Sequence, residues 1–238
     1  MPGGHNLATG YSAVVQHSYF TGDWPTLVGA VEAAIASPGG DWDLQARGIR
    51  AWVRFLLGYT DPDPVEALLD FGRSSGFHRL HWTALGHAAL YLALQGRFTE
   101  AEALLVEQAK AWHDVRSLVS GEWIDASAHA AFLAGRSAAM TVRDLLADAP
   151  HRTPWVEAAL RTVTGGIAYA DGDYARAADM HLAAAEIYGE MPHKSARILS
   201  IAWAVRSLRR VGGASPEPWA TELRDFGAPM LIELALRG

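Results

Sequence analysis

Glu122, Asp125 and His129 place two carboxylates and an imidazole at i, i+3 and i+7, a spacing that shares one face of a helix. Groups of these types held together can bind a divalent metal, or form an acid–base set whose proton affinities are moved apart by proximity. The plainer use is local. Carboxylates in the first helical turn after Gly121 meet the helix dipole favourably, and a histidine one turn further on needs only a hydrogen-bond partner. The pair His78 and His81 is weighed the same way: two histidines at i, i+3 are too few for a metal site and are more often a surface pair at a helix start. Arg206, Arg209 and Arg210 could grip an anion bidentately, yet they also fall in the last turn before Gly212, where cations complement exposed carbonyls. Capping is the commoner outcome.

No Walker loop, dinucleotide fingerprint, HExxH, GxSxG or zinc-knuckle spacing occurs in the 238 residues, so no cofactor and no metal is expected. Cysteine is absent, which removes disulfides, thiolate catalysis and cysteine-ligated metal together. A net charge of −6 without a strong basic cluster argues against nucleic acid and anionic lipid as partners. The opening MPGGHNLATG has neither a basic nor an apolar targeting region, and no run of about 18 apolar residues follows, so a cytoplasmic, non-membrane protein is expected. Eighteen arginines against two lysines, with abundant alanine and glycine, fit a bacterial coding bias.

The elements that must position these groups are helices. Apolar residues recur at helical spacing, as in Leu85, Ala88, Ala89 and Leu92, and β-branched alternation is nearly absent. With half its residues apolar and 19% charged, the chain has the composition of a folded globular protein along nearly its whole length. Glycines interrupt the helices at regular intervals: Gly22, Gly58, Gly96, Gly135, Gly172 and Gly212 are 36, 38, 39, 37 and 40 residues apart. A tight turn after a helix needs a left-handed residue, which glycine supplies without steric cost. The spacing predicts helix pairs over 6–37, 42–76, 77–117, 121–149, 153–190 and 193–226 and a terminal helix near 228–236, all in one domain spanning 1–238. Gly165 and Gly166 fall inside a helix, where each costs about 1 kcal/mol relative to alanine. Either close helix approach or space for a ligand or bulky neighbour must offset that. The nine tryptophans read mainly as packing between helices.

The segment GGIAYADGDYARAADMHLAAA (165–185), with Gly165 seven residues before the turn glycine and Ala177 and Ala184 after it, resembles the tetratricopeptide repeat, as does the unit around Gly96 with Ala89, Phe98 and Ala101. The resemblance implies an all-α, right-handed solenoid of about six antiparallel hairpins, similar to the helical-repeat regions of bacterial transcription regulators. It also implies a concave surface lined by the first helix of each hairpin, at 13, 10, 6 and 3 residues before each glycine. Carried onto this chain, those positions include Gln16, Tyr19, Gln45, Trp52, Phe55, Thr83, Glu122, Asp125, His129, Phe132, Thr162, Tyr169 and Arg206 as ligand-binding candidates. The expected function is a non-catalytic binding module whose groove takes a peptide, a partner protein or a small molecule. The alternative is a small-molecule enzyme in which Glu122, Asp125 and His129 supply acid–base or metal chemistry inside the helical cavity. The apolar segment Met230 to Leu236 is a candidate terminal cap or homo-oligomer contact.

Overall fold

Each of the six turn glycines has a left-handed φ, from 74° at Gly22 and Gly212 to 107° at Gly135. In the computed structural model, which describes residues 4–36, 44–60, 64–74, 76, 78–115, 124–212 and 217–237, they separate helices. Four of the bends share one closure. After Gly22, Gly58, Gly96 and Gly172 the next backbone N–H donates to a carbonyl five residues back: Asp23 to Ser18, Tyr59 to Arg54, Arg97 to Leu92 and Asp173 to Ala168, at 2.9 to 3.0 Å. The other two depart from the equivalence that the spacing predicts. Gly135 is extended in ψ (−169°) and is itself the N-cap of the next helix, which starts at once at Arg136. Gly212 has ψ 122°.

All secondary structure among the described residues is helical. The elements are α1 (Gly4–Thr21), α2 (Trp24–Ala36), α3 (Leu44–Leu56), α4 (Val65–Ser74), α5 (His78–Leu94), α6 (Phe98–Val115), α7 (Ile124–Ala134), α8 (Arg136–Ala147), α9 (Pro154–Ala170), α10 (Tyr174–Glu190), α11 (Lys194–Val211), α12 (Trp219–Phe226) and α13 (Pro229–Leu236). Their starts are locally specified. Thr153 caps α9 by accepting the Val156 N–H, with Pro154 in the first turn, and Asp173 caps α10 by accepting the Arg176 N–H.

Each helix after an odd-numbered start packs on the one before it, α2 on α1 through α12 on α11. The odd-numbered helices also meet one another: α3 packs on α5, α5 on α7, α7 on α9 and α11, and α1 bridges α3 and α11. Chain start and chain end are therefore joined through the interior. The helices enclosed by this arrangement are apolar nearly all round, as a helix without a solvent face must be. Every residue of α7 from Ile124 to Phe132 is buried, whereas α6, α8 and α10 each keep an exposed side. Trp24, Trp52, Trp82 and Trp203 lie in the core at 1% exposure or less, which bears out their reading as packing. Trp42 and Trp123 lie outside the described residues.

Three helical glycines are explained by what they admit. A Cβ on Gly48 would stand 2.7 Å from the Cβ of His87, and one on Gly165 would stand 2.8 Å from the imidazole of His181. On Gly166 it would meet the Phe132 backbone at 3.2 Å. The Gly165-Gly166 pair thus seats a ring from α10 and the main chain of α7, and the cost in helix propensity is offset by close packing. In α13, Leu231, Leu234 and Ala235 are buried, and the helix packs on α11, α12 and α3, so its apolar side caps its own chain.

These contacts set up a paired test. Gly48→Ala should lower stability by about 1 to 3 kcal/mol, because the His87 Cβ has no torsional escape. Gly29→Ala, in α2 with nothing within 4 Å of the added Cβ, should raise it by about 0.5 to 1 kcal/mol. Urea denaturation of both variants reads the difference, and equal effects would contradict the packing.

Candidate functional site

Asp125 stands in the first turn of α7 at 1% exposure. Its Oδ2 accepts the Tyr19 hydroxyl of α1 at 2.5 Å and the His193 Nε2–H at 3.1 Å, and its Oδ1 accepts the Ala126 N–H at 2.8 Å. Burial alone would push this carboxyl up. The hydrogen bond and charge of His193, then the Tyr19 hydroxyl and the charge of His87, outweigh that and hold it below the ordinary carboxylate value. The helix N-terminus adds a favourable partial charge. Asp125 is consequently an ionised group inside the protein.

His193 is fixed on every side. Its Nδ1 accepts the Ala196 N–H at 3.5 Å, making it the N-cap of α11, and the rings of Tyr19, Phe20, Trp155 and Tyr188 surround it with centroids 4.8 to 5.6 Å away. Next to this box, Trp24 Nε1 donates to Ser195 Oγ at 2.8 Å, and that hydroxyl donates to the Tyr19 carbonyl. The end of α1 is thereby sewn to the start of α11.

Two further histidines are oriented by tryptophans. Trp52 Nε1 donates to His87 Nδ1 at 3.2 Å, and Trp203 Nε1 donates to His129 Nδ1 at 3.0 Å. Indole N–H is only a donor, so Nδ1 must be the acceptor and the ring proton sits on Nε2. In both rings that Nε2 is buried without a protein partner, as are both nitrogens of His181. An Nε2 carrying a proton cannot ligate a metal, and among the described residues no three His, Asp or Glu side chains converge as a metal site. Burial, offset in part by the charge of Asp125, lowers His87 and His129 to about 4; burial and the charge of His129 lower His181 to about 3. The Tyr188 hydroxyl is also buried. Thr162 faces it, but the Thr162 hydroxyl is donated to the Ala158 carbonyl at 3.1 Å.

The residues expected to line a groove divide into two sets. Tyr19, Trp52, Thr83, Asp125, His129, Phe132 and Thr162 are all buried at 5% exposure or less, packed between helices instead of facing an open trough. The reason is the contact of α1 with α11, which brings both helices onto the same interior. Gln16 is exposed on α1, Glu122 lies outside the described residues, and so does the side chain of Gln45. Asp125 and His129 are both buried, yet each hydrogen-bonds a different helix and not the other. Of the surface pair, His81 meets Glu107 at 3.2 Å, and Arg73 holds the same carboxylate.

The second set gathers at the glycine-turn end. Phe55 and Arg206 line a cavity of about 480 Å³ with Ala93, Leu94, Leu133, Leu234 and the polar residues Gln95, Arg97 and Arg237. Phe55 and Gln95 are shared with an adjoining hollow of about 120 Å³ beneath Tyr59 and Tyr91. Tyr169 and Phe132, whose rings meet edge to face at 5.3 Å, back the Arg206 guanidinium, which lies 5.7 and 6.0 Å from their centroids. Arg206 therefore leaves the capping role that its position predicts. A wider cleft of about 760 Å³ lies at the Thr21 end of α1, beside Phe20, Glu186, Glu190, Lys194, Arg197 and Glu222. There Arg197 is taken up by Glu222 through two contacts of 3.1 Å, and Lys194 rests over Phe226.

Sequence reasoning missed His87, His181 and His193 because none sits at a position that the resemblance puts inward, and it missed Leu234 and Arg237 because they arrive from the terminal helix and its C-cap. Gly48 and Gly165 were the available signals: an in-helix glycine marks a large ring opposite. Against known protein families, curated proteins and solved structures, the chain matches nothing at a significant level.

Removing the central carboxylate should be severe. Asp125→Ala strands the Tyr19 hydroxyl and the His193 Nε2–H in the interior and should cost about 3 to 5 kcal/mol in chemical denaturation. A loss below about 1 kcal/mol would show that this centre does not hold the helices together.

The lowered histidines fix the sign of the acid response. The unfolded chain takes up these protons near 6.5, the folded chain only near 4 or 3, so the stability they permit is complete above about 6.5 and is lost as pH falls through 4. At pH 5 each histidine should account for about 2 kcal/mol of loss relative to pH 7.5. Urea titrations at the two pH values should show a steep drop, with His181→Leu recovering about a third of it. A stability independent of pH over that interval would contradict the buried neutral rings.

Proposed function

We propose that this chain is a non-catalytic binding module, a tetratricopeptide-like array of about six hairpins whose ligand is a small molecule held at the glycine-turn end of its first helices. The observation that carries this reading is the fate of the inward positions. Seven of the thirteen candidates are packed into the interior, and two of those that are not, Phe55 and Arg206, line the 480 Å³ cavity. That volume lies in the range of small-molecule sites, and its mixture of apolar walls with a few polar groups is the usual make-up of such a site. A peptide needs a continuous trough, and the contact of α1 with α11 leaves the interior filled.

Acid–base chemistry is not the better reading because Asp125 accepts three hydrogen bonds that hold helices in place, and His129 is turned to Trp203. Among the described residues no helix is long and apolar enough to cross a membrane.

The test is to fill the cavity from its rim. Gln95 is exposed and lines both hollows, so Gln95→Trp should block them while leaving the core intact. Native mass spectrometry of the wild-type protein, purified without denaturation and incubated with a small-molecule extract of its host cells, should show a bound species of low mass that the variant lacks. If wild type and variant retain the same species, or neither retains one, the cavity is not the binding site.

A further inference from the structure

The charge balance of this cavity identifies the class of molecule that fits it, on the reading that the cavity is the binding site. Its described lining contains three guanidinium groups and no carboxylate. Two of the three are already neutralised. Arg97 makes a two-point pair with Glu100 at 2.8 and 2.6 Å, and Arg237 pairs with Glu233 one turn back on α13. Arg206 differs. It is half-buried, its Nε reaches the Tyr169 hydroxyl only at 3.4 Å, and no carboxylate among the described residues lies within ion-pair distance of it.

An aromatic face holds a guanidinium in place without cancelling its charge, so Phe132 and Tyr169 orient Arg206 while leaving it one full positive charge. A half-buried guanidinium without a counter-ion is unfavourable, and its planar donor edge is matched by a carboxylate. The lining also presents the apolar side chains of Phe55, Leu94, Leu133 and Leu234. One guanidinium without a counter-ion together with an apolar lining defines an amphipathic complement. At interior packing densities the space takes a body of up to about 20 non-hydrogen atoms.

We infer that the ligand is an amphipathic monoanion, a carboxylate on an apolar body, whose head group pairs with Arg206 and whose tail lies against Phe55, Leu94, Leu133 and Leu234. Arg206 is a specificity determinant here: it chooses the head group, and the apolar walls accept the tail.

Isothermal titration with three probes of equal chain length, decanoate, decanol and decylammonium, tests this below their aggregation concentrations. Decanoate should bind the wild-type protein at least about tenfold more tightly than decylammonium. Arg206→Gln should remove that preference by weakening decanoate about tenfold or more with decanol unchanged, and Arg206→Lys should restore part of it. Gln95→Trp should abolish binding of decanoate and decanol alike. Thermal unfolding of Arg206→Gln within a few degrees of wild type ensures that the variant is folded; should it not be, the comparison of decanoate with decylammonium on the wild-type protein decides alone. Equal binding of the two charged probes, or decanoate binding unmoved by folded Arg206→Gln, overturns the assignment of an anion. Alkyl probes that bind with no response to Gln95→Trp overturn instead the reading of the cavity as the site.

Discussion

A single buried carboxylate sets the terms for the interior of this protein. An ionised group taken out of water is tolerated only when its lone pairs are filled, and Asp125 fills them from separate helices: Tyr19 on α1, His193 at the start of α11, and the first turn of its own α7. These partners are 106 and 68 residues away in the chain. Any arrangement that lets α1 drift from α11 exposes the bond network to loss. Around this centre the aromatic box on His193 and the Trp24–Ser195–Tyr19 relay repeat the same demand with neutral groups.

The rest of the packing follows from rings that need room. His87 lies against Gly48 and His181 against Gly165, so two imidazoles enter helix interfaces where a methyl group would already collide. The two indole donors then decide which way His87 and His129 are turned and which nitrogen carries the proton. Polar side chains held this way contribute to a unique arrangement more than to net stability, because their desolvation opposes their hydrogen bonds. Away from this interior, where the first helices end in glycine turns, the walls become apolar and Arg206 stands as the uncompensated charge.

The helical architecture was legible in the sequence because each bend depends on a residue type. Glycine is the residue that takes a left-handed φ cheaply, so six glycines at nearly constant spacing announce six turns, and all six have that φ. What spacing cannot convey is the backbone after the turn, which is why Gly135 and Gly212 depart from the other four. The inward register was also readable: Tyr19, Trp52, Asp125 and His129 do point into the protein. Whether they meet a void or one another depends on how the helices stand relative to one another. That is the outcome of packing at every helix interface, and no single residue encodes it. The partners of Asp125 were illegible for the same reason, since Tyr19 and His193 become neighbours only once α1 and α11 have come together.

The hydrogen bond between Ser195 and Tyr19 spans 176 residues, and this has a bearing on how the chain acquires its shape. A linear array of repeats can grow unit by unit, each new hairpin resting on the last, and can fray from either tip. Here Tyr19 finds a lasting partner 176 residues further on, so a growing chain must lengthen by that much before α1 can be latched to α11. Once latched, neither helix is free to peel. Loss of the α1–α11 contact removes support from both helices, and the helices it joins should melt as one cooperative unit.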